Sequence, residues 1–252
     1  MARQRTPEGP PPPPAVQKLR IRYAKRGRLR FSSTRDFSRA LERALRRAGV
    51  PMAFSAGFHP HPLISYANAA PTGTASEAEY FEIRVTERVD PESVRRALDE
   101  ALPDGLDVLE VVEAAPGALA DRLEASEWRI VVRGADPDEL RAAVAAFLAA
   151  ERAEATRTFK TGPRTFDTRE PVQAMAVTGV DDEGCAILRV VVRHTTPSVR
   201  PDDILTALRT VTGFSPTVPP LVVRLAQGPL VDATAGVADP LAADKDAAGS
   251  GR

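Results

Sequence analysis

The segment Gly57-Phe58-His59-Pro60-His61-Pro62 sets two histidines two residues apart on a backbone stiffened by prolines. Imidazoles so placed can ligate a metal, move protons or donate to a phosphate, and the pair alone decides none of these. Of the 3 histidines only His194 remains, and no His-Glu-x-x-His or His-x-Glu pattern with downstream cysteines accompanies the pair. No metal or other cofactor is expected. The single Cys185 excludes an internal disulfide, a self-contained iron-sulfur cluster and a thiolate zinc cage, each of which needs several cysteines around one centre. It reads as a partly buried structural thiol. The glycine motifs for dinucleotides and nucleotide triphosphates, and the Gly-x-Ser-x-Gly elbow, do not occur in their required contexts.

A second chemistry is cationic. Residues 1–50 hold 14 Lys/Arg against 3 Asp/Glu, net +11, so the remainder carries the balancing −11. The cluster comprises Lys18, Arg20, Arg22, Lys25, Arg26, Arg28, Arg30, Arg35, Arg39, Arg43, Arg46 and Arg47. Guanidinium forks match phosphate oxygens, and Tyr23, Phe31, Phe54 and Phe58 offer faces on which bases stack. Single-stranded RNA suits both chemistries, and no DNA partner is expected. Solvation of a helix face, or pairing with the acidic remainder, is the competing explanation.

The stretch Ser76-Glu77-Ala78-Glu79-Tyr80 places two carboxylates after the Pro71–Thr74 turn, where they answer the arginines or hold a ligand. Their separation is not fixed by sequence, so no catalytic residue is assigned. Asp167, Arg169 and Glu170, beside Lys160, Gly162 and Arg164, form a polar irregular segment in the second half. Duplication would bring it close to the His59 loop.

These residues must be held by ordered elements. With 43% apolar and 27% charged residues, the 252-residue chain is globular, and no stretch approaches the roughly 20 apolar residues of a membrane span. A cytoplasmic protein with no membrane association is expected. Leu19, Ile21 and Tyr23 alternate with Arg20 and Arg22 as in a strand. Phe37, Ala40, Leu41, Ala44, Leu45 and Ala48 then recur at helical spacing, capped by Thr34 or Asp36 and stopped by Gly49. Arg35, Arg39, Arg43, Arg46 and Arg47 occupy the other side. Short strands near Met52–Phe54 and Leu63–Ala67, a strand at Tyr80–Val85, a helix at Pro91–Leu102 and a strand at Leu106–Val112 follow.

The second half repeats the order. Strands are expected at Trp128–Val132, Ala155–Phe159, Val172–Val177, Ala186–Val192 and Leu221–Leu225, with helices at Pro137–Ala150 and Pro201–Leu208. The fold class predicted is α+β, two ferredoxin-like units in tandem, each strand-helix-strand-strand-helix-strand. Residues 1–17 read as a disordered proline-rich tail, 18–113 as the first unit, 114–125 as a linker, 126–227 as the second unit and 228–252 as a disordered tail.

The runs Arg28-Leu-Arg-Phe-Ser, Ala40-Leu-Glu-Arg-Ala-Leu-Arg-Arg-Ala-Gly and Phe54-Ser-Ala-Gly-Phe-His-Pro-His-Pro-Leu-Ile-Ser resemble the radical SAM-linked protein family. The likeness continues through Lys160-Thr-Gly, Asp167-Thr-Arg-Glu-Pro and Val199-Arg-Pro-Asp-Asp-Ile-Leu, and so covers residues 18–226. The resemblance implies a radical SAM protein as partner, since family members stand beside such proteins or are fused to their carboxyl termini after a cobalamin-binding-like region. It carries Arg28, Arg30, Phe31, Gly57, Phe58, His59, Pro60, Pro62, Ser65, Gly73, Ser76 and Glu79 as site or fold-defining positions, without a catalytic role. Ser33-Thr34-Arg35-Asp36 lacks the histidine of many relatives, and Asn68–Ala70 is less apolar than theirs. A radical reaction needs three cluster cysteines, so that chemistry belongs to another polypeptide.

The candidate binding set for RNA or a partner is therefore Arg28, Arg30, Phe31, Arg35, Arg39, Arg43, Phe58, His59, His61, Ser65 and Glu79. The leading expectation is an RNA-associated accessory protein supporting RNA modification or maturation. Two alternatives stay open. One is a cofactor-free enzyme with His59, His61, Glu79 and Asp167 in a cleft between halves; the other is a module docking on a radical SAM enzyme without RNA.

Overall fold

The computed structural model describes residues 12–231 and 235–249. In chain order the elements are β1 (Gln17–Lys25), α1 (Thr34–Arg47), β2 (Ile64–Ala67), β3 (Ala75–Val85), α2 (Pro91–Ala101), β4 (Leu106–Glu113), β5 (Ala125–Val132), α3 (Pro137–Ala149), β6 (Glu154–Phe159), β7 (Gly162–Asp167), β8 (Val172–Val180), β9 (Ala186–Arg193), α4 (Pro201–Thr212), β10 (Leu221–Gly228), β11 (Leu230–Val231), β12 (Gly236–Val237) and α5 (Ala242–Gly249). This is an α+β protein. Its first compact unit takes in the described residues up to Gly73, Glu77–Ala120 and those from Leu241 on; the second takes in Thr74–Ser76 and the described residues of Asp121–Pro240.

In the first unit the strands lie in the order β4-β1-β3-β2. Leu19, Ile21 and Tyr23 of β1 and Phe81, Ile83 and Val85 of β3 point to one face, where Phe37, Leu41, Ala44 and Leu45 of α1 and Val94 and Leu98 of α2 close the core. Each such side chain contributes about 1.5–3 kcal/mol of burial. Tyr23 stacks on Phe37 with ring centroids 4.2 Å apart. The helix starts at a capping box in which Ser33 and Asp36 bond each other's backbone N–H. It stops before Gly49, whose φ of +64° suits glycine.

In the second unit the order is β10-β5-β9-β8, and each of its adjacent pairs is antiparallel. Trp128, Ile130 and Val132 face Leu188, Val190 and Val192, and Leu140, Val144 and Phe147 of α3 join Ile204, Ala207 and Leu208 of α4 over them. Both helices open with proline in the first turn, where its missing N–H leaves nothing unsatisfied. The polar segment around 160–170 is part of a regular hairpin, β6 with β7, rather than an irregular loop. Arg157 lies over Phe159 at 4.6 Å and Phe166 at 5.1 Å, and bonds Asp203 of α4 at 2.5 Å. The long-range ion pair and the rings give the hairpin an anchor that local composition does not announce.

Three further expectations are corrected. Met52 and Phe54 make only isolated bridges, to Val85 and Pro62, because prolines at 51, 60 and 62 interrupt the ladder. Gln17 opens β1 and is buried, so the amino-terminal tail ends earlier than 17; its residues 1–11 lie outside the described residues. The stretch after 227 is not uniformly a tail. Glycine 228 ends β10, β11 pairs with β12, and α5 sits in the first unit with Leu241 and Asp244 buried. Residues 250–252 and 232–234 of that expectation lie outside the described residues.

Candidate nucleic-acid interface

Helix α1 turns 100° per residue, so Arg35, Arg39, Arg43 and Arg46 fall within one narrow stripe opposite Phe37, Leu41 and Ala44. All four arginines are exposed, and none makes an ion pair with another described residue. From Arg35 to Arg46 the stripe runs about 16 Å. Arg47, at its margin, instead donates to the Ala101 carbonyl at 3.2 Å. Asp36 is the acid nearest the stripe's start; hydrogen bonds from the Ser33 side chain and backbone hold its carboxyl below the usual range, with smaller help from Arg39 and Arg35.

Just before the helix, Gly27–Phe31 forms a 3-10 turn. It presents Arg28 to solvent and leaves Phe31 58% exposed. The Arg30 guanidinium lies 4.5 Å from the Phe31 ring centre, a cation–π contact. The Gly73 N–H donates to the Arg30 carbonyl at 2.8 Å, and Gly73, at φ +92°, passes beside the ring.

The strand cations do not join this surface. Alternation sends Arg20 and Arg22 to the face of the sheet away from α1. Arg20 is fully buried and bonds Glu82 at 2.9 Å and Asp244 at 2.5 Å. Lys18 bonds Glu82 at 2.7 Å. Arg26 pairs with Glu77 and, at 2.6 Å, with Asp107; its pKa is pushed up chiefly by the Glu77 hydrogen bond. Lys25 is buried and donates to the Ala70 carbonyl at 3.3 Å. The single patch expected of strand and helix is thus divided: Lys18, Arg20 and Arg26 pair with acids, whereas the four arginines of the α1 stripe make no ion pair with another described residue.

The proline-histidine loop is exposed at Phe58, His59 and His61. The Ser55 N–H donates to the His61 carbonyl at 2.9 Å, and the Ser55 hydroxyl meets His61 Nδ1 at 2.8 Å, closing the loop at its base. Gly57, at φ +130°, makes the reversal. His61 and Ser65 line one groove with Lys18, Glu82 and Arg84. Sequence reasoning missed Arg84 and Ser55. The signal was the alternation of Glu82 and Arg84 with buried Phe81, Ile83 and Val85.

Glu79 does not belong to any exposed surface. It is buried on the helix side, accepts the Ala70 N–H at 3.0 Å, and lines a cavity of about 20 Å³, room for one water, with Lys25, Ser33 and Tyr66. It and His61 therefore line different cavities. In the second unit Asp167 accepts the Ala153 N–H at 2.9 Å and the Arg169 N–H at 3.0 Å; burial raises its pKa, but these bonds outweigh it and hold the carboxyl low. That is a turn-forming role. Cys185 is half-buried, and burial pushes its thiol up. His194 Nε2 lies 2.7 Å from the buried Ser126 hydroxyl and its Nδ1 2.7 Å from the Leu123 carbonyl. Burial, then Arg224, lowers its pKa. Among the described residues no group of three His, Cys, Asp or Glu is placed to hold a metal ion, and no helix is long and apolar enough to cross a membrane.

Fold and site together define an α+β protein with an exposed arginine stripe on its first helix. Over residues 18–201 the chain matches the family described as "Uncharacterized protein conserved in bacteria (DUF2344)", and it belongs to that family. This is the radical SAM-linked family that its motifs resemble, whose domain is also fused to cobalamin-binding radical SAM proteins. No curated protein matches the sequence. Among solved structures, a Cbf5-Nop10-Gar1 complex aligns over 89% of this chain at 11% identity with a TM-score of 0.42, and the chain spans only 55% of that one. The first two RRM domains of yeast poly(U) binding protein (Pub1) align over 82% of this chain and 98% of theirs, at 13% identity and a TM-score of 0.23. At these scores neither likeness carries an argument.

Proposed function

We propose that this protein is an RNA-binding accessory factor of a radical SAM system, working in RNA modification or maturation, with the outer face of α1 as its phosphate-contacting surface. The observation that carries the reading is the exposure of Arg35, Arg39, Arg43 and Arg46 without an ion pair to any described residue. Structural arginines find carboxylates, as Arg20 and Arg26 do. A stripe left open over about 16 Å suits the backbone of a single strand, and Phe31 with Arg30 beside it supplies a stacking face at one end. Arg28 adds a cation there. The family's linkage to radical SAM proteins favours a second reading, in which the same stripe docks on the enzyme itself. We further infer that the two units arose by duplication of a ferredoxin-like fold, because both order their strands fourth-first-third-second.

Electrophoretic and fluorescence binding to a single-stranded RNA tests the reading. Three contacted phosphates give a slope near −2 of log K on log salt, since each contributes about 0.7. The triple variant Arg35→Glu, Arg39→Glu, Arg43→Glu should weaken binding at least tenfold. Absence of binding, or binding indifferent to salt and to the triple variant, overturns it. Loss of co-purification with the radical SAM partner in the triple variant, unchanged by nuclease, would establish docking instead.

A further inference from the structure

We propose that the groove lined by Lys18, His61, Ser65, Glu82 and Arg84, on the face of the first unit's sheet opposite α1, binds the phosphate of a nucleotide, with Phe54 as the seat for its base. The site is separate from the α1 stripe. Ser65 and Glu82 face each other in the register of β2 and β3, and Lys18, His61 and Arg84 complete the polar lining. The groove holds about 250 Å³, just under the ~300 Å³ at which small-ligand sites begin.

Its charges favour an anion. Glu82 is the acid of the lining, and its charge is already engaged: burial raises its pKa, but hydrogen bonds from Lys18 and Arg20 outweigh that and hold the carboxylate ionised. Arg84 is exposed and makes no ion pair with another described residue. It thus presents an unclaimed guanidinium, the fork that matches phosphate oxygens. His61 adds an imidazole. The Ser55 hydroxyl accepts the His61 backbone N–H at 3.1 Å and lies 2.8 Å from Nδ1, so Nε2 is the ring nitrogen left for a ligand. The Ser65 hydroxyl is a further donor.

The aromatic half of the argument comes from the loop. Phe54 is the bridge partner of Pro62, itself a lining residue, and is 43% exposed. A large apolar ring kept in solvent beside a cationic groove fits a stacking platform for a base. The ligand class is a nucleoside monophosphate, free or at the end of an RNA chain.

Histidine-selective NMR titration of the full chain tests this with adenosine 5′-monophosphate, inorganic phosphate and a 5′-phosphorylated single-stranded RNA pentamer. The nucleotide should shift the His61 signals saturably, and phosphate should do so more weakly. Arg84→Ala should weaken the nucleotide at least tenfold at an unchanged urea midpoint. Phe54→Ala should weaken the nucleotide while sparing phosphate. Displacement of the nucleotide by the pentamer would identify an RNA end as the source, and failure to displace would identify the free nucleotide. The Arg35→Glu, Arg39→Glu, Arg43→Glu variant should bind the nucleotide as the natural chain does, so loss of RNA binding through α1 leaves this site standing. No shift at His61, or equal binding by Arg84→Ala, would overturn the proposal.

Discussion

Helices α1 and α3 hold the same place in their units, each following the unit's first strand, yet their outer faces differ. Inward, both supply what a core needs: Phe37, Leu41, Ala44 and Leu45 in one, Leu140, Ala143, Val144 and Phe147 in the other. Outward, α1 exposes arginine at 35, 39, 43 and 46, whereas α3 exposes Ala142, Ala145, Ala146 and Ala149, and its Arg141 is tied to Asp138. Burial constrains the inner stripe and leaves the outer one free. The fold therefore does not require α1's charge, and a solvated helix of this class manages with alanine. That contrast strengthens the case that the arginines serve a partner.

A buried charge in the first unit, set against an exposed ion pair on α3, gives the largest expected effect. In the first unit Arg20 is wholly enclosed and relies on Asp244 and Glu82. Asp244→Ala leaves the enclosed guanidinium with Glu82 but without the carboxylate on its Nη1 side and should cost about 3–5 kcal/mol, read as a lowered urea midpoint. Arg141→Ala on α3 removes an exposed pair and should stay within about 1 kcal/mol. If the two variants unfold alike, α5 is not the anchor that the geometry makes it.

In the second unit His194 is half-buried, and burial lowers its pKa. Its folded pKa lies below the unfolded value near 6.5, so between the two the unfolded chain binds more protons. Its contribution is complete above about pH 6.5 and falls as acid drives the histidine toward its folded pKa, by at most about 1.4 kcal/mol per pH unit. Glu82 in the first unit has the opposite exchange of partners but the same sign: its lowered pKa gives stability above the ordinary carboxylate range and loses it at lower pH. Denaturation midpoints at pH 7.5 and 5.5 should fall for the natural chain and stay level for His194→Gln, whereas Glu82→Gln should leave the drop in that interval intact.

What the sequence made legible was local and periodic. Alternation at Leu19-Ile21-Tyr23 and spacing at Phe37-Leu41-Leu45 located strand, helix and the sides they present, because side-chain direction follows from period alone. The same alternation put Arg20 opposite Leu19 and Ile21, but it does not distinguish a solvated arginine from an enclosed one. That outcome depends on Asp244, 224 positions away, in an Ala- and Asp-rich stretch without large periodic apolar residues. Glu79 was misplaced for a related reason: its neighbours Glu77 and Tyr80 suggest a polar strand edge, whereas its side chain faces the α1 side with Lys25. The groove at His61 joins residues from three separate segments, and only the register of β2 on β3 assembles them.

The smallest effect separates local helix energetics from surface function. Both helices begin at capped positions: Ser33 accepts the Asp36 N–H, and Asp136 accepts the N–H groups of Asp138 and Glu139. Ser33→Ala and Asp136→Ala should each cost about 1 kcal/mol, since each leaves first-turn donors without a side-chain acceptor. Equal losses mean that the helices are held by the same local device despite their different outer faces. RNA affinity should then change for neither, because the arginine stripe starts beyond the cap and is fixed by the apolar face beneath it. An affinity loss in Ser33→Ala alone, at matched stability, would instead tie the helix start and the nearby Phe31 turn to the bound strand.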